Sequence, residues 1–83
     1  MNTFAQTFEK AFDKKAEGLI LSIMPAIRIT TMIMDTLIEV SEAQELRIDA
    51  LSLEQKEGCY SLTVNKSINI VLQVEKKKEA VNG

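Results

Sequence analysis

Between Asp49 and Val74 the apolar residues fall on every second position, in three short runs. Leu51 and Leu53 alternate with Ala50 and Ser52. Tyr60, Leu62 and Val64 alternate with Ser61 and Thr63, and Ile68, Ile70, Leu72 and Val74 alternate with Asn69 and Gln73. Successive side chains of an extended strand point to opposite faces, so each run carries one apolar and one polar face. The gaps between the runs have turn chemistry: Gln55-Lys56-Glu57-Gly58 ends in glycine, and Asn65-Lys66-Ser67 is short and polar. The pattern predicts a three-stranded antiparallel meander with one buried face. Two layers are the least that closes a core, so the residues before the meander must cover that face.

Those residues change period. Phe4, Phe8, Ala11, Phe12 and Ala16 recur at the spacing of one helical face, which predicts a first helix over residues 3–17. Thr3 suits its N-cap and Gly18 its C-terminal cap. The three phenylalanines are expected to form the main core, with a partner-docking ridge as the competing reading. Pro25 suits the first turn of a second helix, and from Ala26 to Glu45 there is no glycine, proline or hairpin signal. Twenty residues far exceed a normal strand, so a helix is expected. Ile27, Ile29, Thr30, Thr31, Ile33, Thr36, Ile38 and Val40 are β-branched, however, and a short strand at about 27–33 is the alternative. The expected fold is thus α+β: two N-terminal helices packed on a three-stranded antiparallel β-meander. Residues 1–75 form the single domain and residues 76–83, with Lys76, Lys77 and Lys78, a flexible C-terminal tail.

The chain has 83 residues, one cysteine and no histidine. A chain this short has a marginal core, and small domains compensate with disulfides, metals or association. One cysteine forms no intrachain disulfide, and without histidine no metal or cofactor site is expected. Neutral-pH acid–base catalysis most often uses histidine, Cys59 has no activating base, and the glycines at 18, 58 and 83 are too isolated to cradle phosphate. The chain is therefore expected not to be an enzyme, with Cys59 a small packing residue. A net charge of −2 argues against general nucleic-acid binding. The longest uncharged run in the apolar region, Gly18 to Ile27, is ten residues, against about 20 for a membrane span. Residues 1–18 balance three acids with three bases and precede no small-residue cleavage site, so a cytoplasmic location is expected.

The second helix carries the most information about function. On a helical wheel Arg28, Asp35, Glu39 and Glu42 fall within about 60° of one another, with Met32 in the same stripe, and the rest is apolar or threonine. That apolar arc is about 250° wide, more than twice what a helix on a sheet usually buries. The surplus predicts a homo-oligomer, in its commonest form a symmetric dimer. Met32, Met34 and Ile38 are the residues expected to self-associate, methionine being adaptable at such contacts. From Asp35 to Glu57 seven acids face only Arg47 and Lys56, a local charge of −5. Asp35, Glu39 and Glu42 are accordingly the expected contacts to another protein with a basic surface.

The expected function is a non-enzymatic protein-binding module: an inhibitor, adaptor or assembly factor. Its size, acidity and lack of catalytic groups are of the kind found in small phage and mobile-element proteins that occupy a host protein's surface. The alternatives are a structural subunit of a larger assembly, and a nucleic-acid-binding domain using the basic tail.

Overall fold

A computed structural model describes residues 3–74. Helix α1 (Phe4–Lys15) and a single 3-10 turn (Leu21–Ile23) precede helix α2 (Ala26–Ala43), and strands β1 (Leu51–Lys56), β2 (Cys59–Val64) and β3 (Ile68–Gln73) follow. The strands form one antiparallel sheet in the order β1-β2-β3. The α+β architecture is the one the two periodicities predict. The expected tail at 76–83, and nucleic-acid contact by its lysines, lie outside the described residues.

Helix α1 begins with a reciprocal capping box. The Gln6 N–H donates to Thr3 Oγ1 at 3.1 Å, and the Thr3 N–H donates to Gln6 Oε1 at 3.0 Å. Two otherwise unpaired donors of the first turn are thereby satisfied. The helix is shorter than residues 3–17. Its C-cap is Ala16, and Gly18, at φ 81°, shapes the turn beyond it.

Residues 27–33 are helix, which removes the alternative of a strand there. The threonines show how a β-branched segment tolerates this. The hydroxyls of Thr30, Thr31 and Thr36 donate to the carbonyls of Ala26, Ile27 and Met32, four residues back, at 2.7–2.8 Å. Thr36 is completely buried, so its hydroxyl has to find a partner inside the fold, and its own helix supplies one. The helix ends in a Schellman motif. The Leu46 N–H donates to the Ser41 carbonyl at 2.9 Å and the Glu45 N–H to the Glu42 carbonyl at 3.2 Å. Glu45 takes the left-handed position, φ 54°, where glycine is usual.

The β2–β3 turn also does without glycine. Asn65 and Lys66 both have positive φ, 54° and 62°, and the Ser67 N–H donates to the Val64 carbonyl at 3.2 Å. Two left-handed central residues define a turn of the I′ kind, where Asn-Gly is the preferred pair. Glycine at 66 relieves the left-handed cost of Lys66 but loosens the unfolded chain. Lys66→Gly should therefore stabilise the domain by a net of about 0.5–1 kcal/mol. Urea denaturation measures it, and a loss of stability would contradict the assignment of this turn.

Asn65 does more than turn. Its Oδ1 accepts from the N–H groups of Asp49 (2.7 Å) and Ala50 (3.2 Å), and its Nδ2 donates to the Arg47 carbonyl (2.8 Å). Its own N–H donates to the Ala50 carbonyl at 2.8 Å. One side chain thus holds the segment that delivers the chain from α2 into β1.

The core joins Phe4, Phe8 and Phe12 of α1, Ile29, Ile33, Leu37 and Val40 of α2, Tyr60, Leu62 and Val64 of β2, and Ile70 and Leu72 of β3. The rings of Phe8 and Phe12 stack with centroids 6.4 Å apart and planes within 6°. The phenylalanines are core, as expected. Strand β1 contributes no buried residue at all.

Candidate interaction surface

Helix α1 lies along β3, and it meets α2 on one flank only. Lys15 Nζ bonds to Glu39 Oε1 at 2.7 Å, and Gln44 Nε2 donates to Thr7 Oγ1 at 3.1 Å. The buried residues of α2 run from Thr36 on that flank through Ile29, Val40, Ile33 and Leu37 to Ser41. At about 100° per residue they span roughly 140° of the wheel, little more than the usual core-facing arc. The remainder of the apolar arc is left over.

The surplus lies on the flank away from α1. Ile27, Thr31, Met34 and Ile38 follow one another at spacings of four, three and four, which stacks them in a single stripe. Ile27 is 74% exposed and Ile38 52%, with Met34 half-buried between them. Exposed Ile23 and Ile20 on the preceding connection bring further apolar surface to the same end of the helix.

The structure separates the three residues expected to self-associate. Met34 and Ile38 share the bare flank. Met32 is half-buried on the flank towards α1, because residues two apart on a helix project about 200° from one another. Ile27 belongs with Met34 and Ile38. Its spacing was legible as i, i+7, i+11, but the wheel by itself does not say which flank a neighbouring helix will cover.

The three acids expected to contact a partner divide in a similar way. Asp35 and Glu42 are exposed on the ridge of α2 facing away from the core, beside the apolar stripe, and neither has an ion-pair partner among the described residues. Glu39 is engaged by Lys15 within the chain. The remaining acids scatter: Asp49 bonds Arg47 at 3.2 Å, and Glu54 lies 3.7 Å from Lys56 on the outer face of the sheet. The acidic stretch thus folds into a short ridge on α2 and separate small pairs.

Strand β1 is the second bare element. The register pairs Leu51 with Val64, Leu53 with Leu62 and Gln55 with Tyr60, which puts all three β1 residues on the core face. Their β2 partners are buried, yet Leu51 is 40% exposed and Leu53 only half-buried. The helices cover β3 and β2 and stop short of β1.

Cys59 lies on the opposite, outer face, half-buried and paired with Gln73, so it packs at the surface and not in the core. A groove of about 590 Å³ runs between the end of α1 and the end of β3, lined by Asp13, Glu17, the 18–22 connection, Gln73 and Val74. Among the described residues no three histidine, cysteine, aspartate or glutamate side chains gather at one point, and no helix is long and apolar enough to cross a membrane. No family profile matches the chain, and it aligns significantly with no curated protein and no solved structure.

Proposed function

We propose that this chain is a non-enzymatic protein-binding module that works as a dimer, associating through the bare flank of α2 and offering the Asp35–Glu42 ridge to a partner with a basic surface. The observation that carries the reading is the stripe of Ile27, Met34 and Ile38 along three turns of α2, of which the protomer leaves Ile27 and Ile38 exposed and Met34 only half covered. Isolated exposed apolar residues are ordinary on protein surfaces, whereas a continuous stripe rimmed by charge is characteristic of interaction sites. The acids beside it lie where the rim of such a contact falls, and rim charge acts mainly on association rate and partner choice.

Ile38→Asp tests the association. The side chain is half exposed in the protomer, so a carboxylate there reaches water and the fold survives, while in a dimer it would be buried without a partner. The dimer constant should weaken by roughly 100-fold or more, as for a residue central to an interface, with an unchanged circular dichroism spectrum. Sedimentation equilibrium measures it. A parent protein that remains monomeric at millimolar concentration removes the reading.

A further inference from the structure

We infer that two copies of this chain join edge to edge through β1, pairing antiparallel about Leu53 to make one continuous six-stranded sheet, with the bare flanks of the two α2 helices closing over the junction. The inference rests on the self-association proposed above and specifies its geometry.

The backbone supplies the first argument. Asn65 donates its N–H to the Ala50 carbonyl, so Ala50 and Asn65 are a hydrogen-bonded pair, and such pairs recur at alternate positions along an antiparallel ladder. Ser52, Glu54 and Lys56 therefore turn their backbone groups towards β2. Leu51, Leu53 and Gln55 turn theirs outward. Among the described residues no hydrogen bond from outside the sheet reaches residues 51–56. The strand is six residues long, with no proline and no bulge in its pairing with β2. It lacks most of the devices by which proteins protect an open edge.

The second argument separates the two edges of the sheet. The same alternation, set by the Val74 N–H donating to the Gly58 carbonyl, turns the backbone groups of Asn69, Val71 and Gln73 outward from β3. The core face of β3 is already sealed, with Ile70 and Leu72 buried beneath α1. An added strand there gains hydrogen bonds alone. An added strand at β1 gains hydrogen bonds and also extends an apolar face on which Leu51 lies exposed and Leu53 half-buried.

The third argument identifies the occupant as a second copy. Facing residues of an antiparallel pair lie on the same side of the sheet, so Leu51, Leu53 and Gln55 must meet their own kind. Centring the pair on Glu54 sets that carboxylate against the partner subunit's Glu54, an unfavourable like-charge contact. Centring it on Leu53 overlaps residues 51–55 of the two strands, with Lys56 opposite the partner subunit's Ala50. It places Leu53 opposite the partner subunit's Leu53, Leu51 opposite the partner subunit's Gln55, and Ser52 opposite the partner subunit's Glu54, with no two like charges opposed along β1. A two-fold axis perpendicular to the sheet keeps both core faces on one side. It also brings together the two α2 flanks that face away from α1, so the stripe and the exposed β1 face become one buried surface. An isologous contact of this kind closes at two copies.

The test uses the edge itself. Leu53→Pro deletes an outward N–H that β2 does not use, and proline is tolerated at such edge positions. Val71→Pro makes the same change on the other edge. By sedimentation equilibrium L53P should weaken the dimer at least 100-fold and V71P less than threefold. In a Cys59→Ser background, Leu53→Cys should form an intermolecular disulfide under mild oxidation, since opposed hydrogen-bonded residues stand about 5.5 Å apart at Cα, within disulfide reach. The same background with Val71→Cys should not. The crosslink keeps the proposal testable if a proline variant fails to fold. A dimer that survives L53P and gives no crosslink at 53, yet is lost in Ile38→Asp, overturns the edge pairing and leaves helix-mediated association standing. A parent that is monomeric throughout overturns both.

Discussion

Replacing Asn65 by alanine should lower the unfolding free energy by about 2–3 kcal/mol, the sum of a left-handed backbone imposed on alanine and the loss of three modest hydrogen bonds. The side chain is a clamp: Oδ1 takes the N–H groups of Asp49 and Ala50, and Nδ2 gives to the Arg47 carbonyl. Those three backbone groups have no other partner among the described hydrogen bonds, so alanine leaves them to water or to nothing. For a domain of this size the midpoint of thermal unfolding should fall by roughly 10 °C or more. Asn65→Gly separates the two causes, because glycine accepts φ 54° but cannot bond. It should recover about 1 kcal/mol relative to alanine. If the alanine variant melts with the parent, the clamp has no energetic role and β1 is positioned by something else.

Phe8→Ala should be more severe, at about 3–5 kcal/mol, the range for deleting a fully buried aromatic side chain. Phe8 has no exposed surface and stacks on Phe12 within the core that α1 shares with α2 and β3. A domain of this length has a total stability of only about 4–12 kcal/mol, so the variant should be partly unfolded at 25 °C. Urea denaturation by circular dichroism gives the number, and Phe8→Leu, which refills most of the volume, should lose roughly 1–2 kcal/mol. A fully cooperative, near-parental transition for the alanine variant would show that the core closes without α1.

Edge pairing and this core argument are connected. The sheet buries its face only where a helix lies over it, and two helices span two strands. β1 is third in the layer, and among the described residues its core face is only partly covered. In the dimer we propose, a second protomer supplies what the short chain lacks.

The strands were legible in the sequence, because a period of two puts Leu53, Leu62 and Ile70 on one face; the register that sets Leu53 opposite Leu62 and Leu62 opposite Ile70 is fixed by the two turns. The phenylalanine face of α1 was legible for the same kind of reason. Asn65 was legible as a turn residue but not as a clamp, since its partners lie 15–18 residues away. The helical state of residues 27–33 was ambiguous while only side-chain branching was considered; the threonine hydroxyls that bond back along the helix resolve it.

Periodicity is a local quantity, and it determined the elements of this protein: which residues turn apolar faces inward, and that α2 has more such surface than a single layer needs. Which part of that surface is covered is not local. It depended on α1 docking against the Glu39 side of α2 and along β3, and that choice left Ile38 and Ile27 bare on the far flank, with Met34 half-buried between them, and β1 only partly covered. A pattern along one strand or helix states how much must be buried, and only the placement of the other elements in space decides where the burial stops.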